Sequence, residues 1–169
     1  MDRKKQIEAY QLMYSTLLKM MNRKADDFPM TTEEDEAYIQ QMKALGSIGD
    51  LIDFEVFRPT LIENLAGIKL QYDPVLLFKM SIIMLLFRAD YSKTEYMCID
   101  SICCRDFLAV KNGEKTPDKK QLELFHKRLK KRAVFQQLVD ELFKLTDEKG
   151  IIFNKDGVEY KIPTIILDE

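Results

Sequence analysis

Apolar positions recur at steps of three and four along most of this chain. Residues 3 to 21 carry Ile7, Tyr10, Met13, Tyr14, Leu17, Leu18 and Met21, the spacing of one face of an amphipathic helix. Asp26, Asp27, Pro29 and the pair Thr31-Thr32 then interrupt it. Thr32 is placed to cap an acidic first turn, Glu33 to Glu36: its hydroxyl oxygen can take an orphan helix N–H, and carboxylates favour the positive end of the helix dipole. The predicted helix presents Tyr38, Ile39, Met42 and Leu45, and Gly46 and Gly49 are expected to end it. Apolar content then thickens through Leu51, Ile52, Phe54, Val56 and Phe57. A short helix is predicted over 59–65, with Pro59 just inside its start and Gly67 as its stop. Asp73-Pro74 is a cap followed by proline, and residues 75–88 are apolar nearly all round, which marks the central helix of a core.

Downstream the helices shorten. Ser92-Lys93-Thr94-Glu95 has the form of a capping box, and two short helices fit within 93–108. Asn112-Gly113 marks a loop, closed by Thr116-Pro117-Asp118 as the cap of another helix. That helix turns Leu122, Phe125 and Leu129 inward and Lys119, Lys120, Lys127, Arg128, Lys130 and Lys131 outward. A last helix over 133–149 is expected to bury Phe135, Leu138, Val139, Leu142, Phe143 and Leu145 and to stop at Gly150. The period then changes to two, with residues 151–153 and 158–162 flanking Asn154-Lys155-Asp156-Gly157 as a hairpin. The expected fold is therefore mainly α: a compact multi-helix domain with a helix-turn-helix-like segment and a short C-terminal β-hairpin. Residues 1–49 read as an acidic, amphipathic extension and residues 50–169 as the domain proper.

Charge changes this picture more than composition does. The 169 residues hold 26 Lys+Arg and 28 Asp+Glu, a net charge of -2, which by itself argues against a nucleic-acid partner. The average hides a division. From Asp26 to Glu55 nine acids face one base, and from Lys111 to Arg132 nine bases face three acids, so an acidic N-terminal part precedes a basic helix. The longest apolar run, 75–87, is too short for a bilayer, which wants about 20 residues. Met1-Asp2-Arg3-Lys4-Lys5-Gln6 leads into no apolar stretch, so the expectation is a cytoplasmic protein with no signal peptide and no membrane partner. Cys98, Cys103 and Cys104 lack zinc-site spacing and read as reduced, packed thiols.

An enzyme would need a base, a nucleophile or a metal site. His126 is the one histidine, inside the basic helix, and reads as a solvent or phosphate contact. Glu33 to Glu36 point in different directions around a helix and read as a solvated face. No phosphate-binding glycine loop, dinucleotide fingerprint or zinc-protease motif occurs. No cofactor and no small-molecule substrate are expected. The basic segment is different, because its charges are arranged as in a reader of double-stranded DNA. Lys111, Lys115 and Lys119 with the helix N-terminus would hold phosphates. Gln121, Lys127 and Arg128 would reach bases or backbone, and Lys120, His126, Lys130, Lys131 and Arg132 complete the candidate surface.

The order of these segments resembles the helical N-terminal domain of bacterial insertion-sequence transposases of the DDE class. The resemblance is carried by Tyr72-Asp73-Pro74 leading into the apolar helix and by Asp100-Ser101-x-x-x-Arg105-x-Phe107. Pro117-Asp118-x-x-x-Leu122-x-x-Phe125-x-x-x-Leu129 follows, and then Leu142-Phe143 running to Gly150-Ile151-Ile152. In that family the next strand carries the first metal-binding Asp of an RNase H-like catalytic domain. Here Ile162 stands at the matching position, and an alkyl chain cannot ligate magnesium. The resemblance implies transposon-end DNA binding without strand-transfer chemistry, in a truncated element product or a domesticated regulator, and is compatible with a homodimer. The alternative reading is a protein-interaction or oligomerisation module that acts as an inhibitor through its acidic N-terminal part.

Overall fold

The computed structural model describes residues 3–20, 33–150, 152–153 and 160–161. It is mainly helical. The helices are α1 (Arg3–Met20), α2 (Glu33–Leu51), α3 (Arg58–Leu65), α4 (Pro74–Leu86), α5 (Tyr91–Asp100), α6 (Ile102–Phe107), α7 (Lys119–Lys131) and α8 (Phe135–Glu148), with a 3-10 turn at Phe54–Phe57. Ile152–Phe153 pairs antiparallel with Tyr160–Lys161. The turn and the remaining residues of the expected hairpin lie outside the described residues, as do Thr31 and Thr32.

Helix α4 occupies the middle, packed by α2, α3, α5, α7 and the 3-10 turn. Its apolar circumference explains that place: Leu77, Phe78, Met80 and Ile83 have no solvent exposure, so a neighbour is needed on each side. Asp73 caps it as expected, its carboxylate taking the N–H groups of Val75 and Leu76. Arg58 Nη1 donates to Asp73 Oδ2 at 2.8 Å and Arg58 Nε to Glu55 Oε2 at 2.6 Å. One guanidinium thus ties the 3-10 turn, the start of α3 and the cap of α4 together. Beneath it the rings of Phe54, Phe57, Phe78 and Phe107 meet edge to face, Phe57 and Phe78 at 4.9 Å and Phe54 and Phe107 at 5.6 Å. Lys79 Nζ lies over the Phe54 and Phe107 rings and donates to the Phe107 carbonyl.

Three local expectations are corrected. The glycines at 46 and 49 do not end α2, which continues to Leu51 and buries Met42, Ala44, Leu45 and Ile48 in the common core. Burial of this face outweighs the roughly 1 kcal/mol that a mid-helix glycine costs. The boundary expected between residues 49 and 50 therefore falls inside a helix that belongs to the domain. The Ser92–Glu95 box is not used either: Asp90 caps α5, accepting from Lys93 N–H at 2.7 Å, and Glu95 acts elsewhere. At α7 the cap is Asp118, with Pro117 buried before it instead of just inside the helix.

Cys98, Cys103 and Cys104 are free thiols, with Cys98 and Cys104 buried and Cys103 half-buried. Burial pushes the Cys98 and Cys104 thiols up, the latter to about 11. Both remain protonated and unreactive at neutral pH.

Candidate nucleic-acid interface

Helix α7 is wedged between α3, α4, α5 and α8. Leu122, Phe125, His126 and Leu129 recur at i, i+3, i+4 and i+7 and are buried, so one angular sector of the helix faces the core. The opposite sector carries Lys120, Lys127 and Lys131, all exposed, with Leu124 between them. These lysines sit at i, i+7 and i+11, within about 40° of one another at 100° per residue. They form a narrow stripe on a helix held from four sides. Lys119 and Lys130 flank it, Lys119 Nζ reaching Ser92 Oγ at 3.4 Å and Lys130 Nζ lying 5.7 Å from the Phe135 ring centre. Arg132 is exposed just past the helix end.

Four expected contacts are placed differently. His126 is 3% exposed and cannot meet a phosphate or a base. Its Nε2 lies 2.6 Å from Ser81 Oγ and its Nδ1 3.0 Å from the Tyr91 hydroxyl. Ser81 donates its single proton to the Leu77 carbonyl at 2.9 Å. His126 Nε2–H must therefore donate to Ser81, and the Tyr91 hydroxyl donates to Nδ1, which assigns the neutral Nε2–H tautomer. Burial, with a smaller contribution from the Lys130 charge, lowers the imidazole from its ordinary 6.5 to about 4.

Arg128 is half-buried, donating from Nε to the Asn64 carbonyl at 3.3 Å and from Nη2 to the Ala66 carbonyl at 2.9 Å. It closes the C-terminus of α3, where carbonyls lack intrahelical partners. Gln121 Oε1 accepts from Gln71 N–H at 3.1 Å, pinning the loop before α4. The N-terminus of α7 is occupied as well. Lys119 N–H donates to Glu95 Oε2 and Gln121 N–H to Asp118 Oδ1, both at 2.9 Å, so two amides that could hold a phosphate already hold carboxylates.

Lys111 and Lys115 are exposed on a loop that Arg105 organises by donating to the Lys111 and Glu114 carbonyls at 2.7 and 2.9 Å. Residues 108–118 separate α6 from α7, more than the three or four residues of a helix-turn-helix turn. Connections of that length are 87–90, between α4 and α5, and 132–134, between α7 and α8.

Sequence reasoning missed Ser81, Tyr91 and Glu95. The buried histidine was detectable, because position 126 completes the i, i+3, i+4, i+7 pattern of Leu122, Phe125 and Leu129. The Arg128 role is testable. Arg128→Ala is expected to cost about 2 kcal/mol in urea unfolding by orphaning two carbonyls, whereas Lys127→Ala is expected to change stability by less than about 0.5 kcal/mol. Equal effects would show that Arg128 is merely solvated.

Among the described residues no group of three or more His, Cys, Asp or Glu side chains is placed to hold a metal ion, and no helix is long and apolar enough to cross a membrane. What α7 offers is a narrow stripe of three lysines on a mainly helical scaffold. A family model for a transposase domain (DUF772) matches residues 33–128, and the chain belongs to that family. The match takes in α2 to most of α7, and α8 joins the same core through Leu138 and Leu142. No curated protein and no solved structure matches the chain.

Proposed function

We propose that this transposase-derived domain binds double-stranded DNA and carries out no strand transfer. The observation that carries the reading is the stripe Lys120, Lys127 and Lys131 on a helix whose other faces are fixed by packing. Lys111, Lys115 and Arg132 add exposed charge nearby in sequence. The simplest competing account is helix stability, since Arg128, Lys130 and Lys131 stand in the last turn of α7, where the dipole favours cations. That account does not extend to Lys120 in the first turn, where a cation is disfavoured. The catalytic half of the proposal rests on Ile162 at the position where the resemblance places a metal-binding carboxylate.

Fluorescence-anisotropy titration of a 20-base-pair duplex tests it. Binding is expected at 50 mM salt and should weaken steeply by 200 mM, as counterion release requires. Lys120→Ala/Lys127→Ala/Lys131→Ala is expected to lower affinity by at least about tenfold while the circular dichroism spectrum is unchanged. An unchanged affinity, or no binding by a folded protein at low salt, overturns the proposal.

A second reading is favoured by one observation. Ile7, Tyr10 and Met13 of α1, Tyr38, Ile39 and Met42 of α2, and Ile102 and Cys103 of α6 line a groove of about 290 Å³. Tyr10, Leu12 and Met13 of α1 are 45%, 69% and 55% exposed, an apolar surface of the kind that marks protein association. Light scattering after size exclusion decides it: a dimer that Met13→Asp converts to monomer supports association through this face.

A further inference from the structure

We infer that the α7 stripe grips the sugar–phosphate backbone and reads no base sequence. The inference rests on the DNA-binding reading above and narrows it to one mode of recognition.

Base edges in the major groove are distinguished by side chains that present two hydrogen-bonding atoms in a fixed relation, chiefly arginine with guanine and glutamine or asparagine with adenine. Helix α7 contains one residue of each kind, and the fold has employed both. Arg128 commits Nε and Nη2 to the carbonyls of Asn64 and Ala66, and Gln121 commits its carbonyl oxygen to Gln71 N–H. Each sits on the flank of α7 that faces α3 and the loop before α4, away from the lysine stripe. His126, a third residue able to contact a base, is enclosed between Ser81 and Tyr91. Arg105 of α6 commits Nη2 to two carbonyls of the adjoining loop.

The charged groups left on the solvent side of α7 are the ammonium ions of its lysines and the carboxylate of Glu123, which a phosphate repels. Lysine is a flexible point charge without a planar fork, well suited to a phosphate and poorly suited to fixing one base. Leu124, between the lysines, offers no hydrogen bond. From Lys120 to Lys131 the stripe rises about 16 Å at 1.5 Å per residue, the length of roughly five base pairs. Two of the amides at the start of α7, those of Lys119 and Gln121, are held by Glu95 and Asp118. Contact therefore rests chiefly on side-chain charge. Such binding tracks phosphate density and is indifferent to sequence.

The test selects duplexes from a pool with a randomised central segment, using the full chain, and then measures anisotropy for the recovered duplexes and for scrambled versions at several salt concentrations. The expected result is no enriched motif, affinities within about threefold across sequences, and a salt slope that becomes shallower by roughly three in the Lys120→Ala/Lys127→Ala/Lys131→Ala variant. Recovery of a motif bound more than tenfold tighter than its scrambled form overturns the inference while leaving DNA binding intact. Should that preference vanish in Arg132→Lys, the exposed arginine past the helix end is the reader. Failure of the folded chain to bind any duplex at 50 mM salt overturns both readings, so the two failures are told apart.

Discussion

Replacing Phe78 with alanine is expected to remove about 3 to 5 kcal/mol from the free energy of unfolding. The ring has no solvent exposure. It packs 4.9 Å from Phe57 and 6.1 Å from Phe54, both near edge-on, so its loss removes the transfer free energy of a benzyl group and two favourable ring contacts. The gap would lie where α4, the 3-10 turn and α6 meet, and helices braced by the Arg58 fork have little freedom to close it. Since single domains are commonly stable by only 5 to 15 kcal/mol, the variant should sit near its unfolding midpoint in modest urea. Phe78→Leu is expected to fall between the two proteins. A loss under about 1.5 kcal/mol in Phe78→Ala would mean that the four rings do not form the centre of the domain.

The second large effect is acid sensitivity. His126 has a folded-state value near 4 against 6.5 in the ordinary state, so the unfolded chain takes up a proton before the folded chain does. Its contribution is complete above pH 6.5, declines as pH falls, and is exhausted near pH 4, where the folded protein protonates too. The slope within that window approaches 1.4 kcal/mol per pH unit, about 3 kcal/mol in all. Urea unfolding at pH 7.5, 6.0, 5.0 and 4.5 would show the decline, and His126→Leu should flatten it. Parallel curves for the two proteins would refute the assignment. The carboxylates act lower on the scale. The hydrogen bond from Arg58 holds Glu55 below its usual value. At Asp73 burial pushes upward, but Arg58 and the amides of Val75 and Leu76 outweigh it. Their stabilisation is present above the ordinary carboxylate range and is lost as pH falls below it, beneath most of the histidine window.

Much of the architecture was legible because the helices announce themselves by local chemistry. Asp73-Pro74, Gly67 and Gly150 act where expected, with Gly67 and Gly150 in the left-handed region at φ 82° and 76°. Errors came where distant partners override a local signal. Gly46 looks like a terminator until α2 is seen buried against its neighbours. Glu95 looks like half of a local box, but it reaches across to the amide of Lys119. The turns after α4, α6 and α7 were not legible, since they place Arg88, Ala109 and Ala133 at φ 48°, 56° and 55°, a conformation no glycine advertises there. At the candidate interface the sequence supplied the charged residues but not their assignments. Arg128 and Gln121 look free in one dimension, and only the approach of α3 and the loop before α4 shows that they are taken.

The bonds around His126 also bear on what the outside of the protein can be. Joined to Ser81 of α4 and Tyr91 of α5, the imidazole sets the angular phase of α7, because turning the helix by one residue, about 100°, would break both bonds. The same turn would carry one flank of the lysine stripe toward the core. The polarity of the outer surface is therefore keyed from within, by the buried Ser81 hydroxyl and the half-buried Tyr91 hydroxyl, and a substitution at Ser81 would remove one of the two bonds that hold the charge pattern in phase without touching a single lysine.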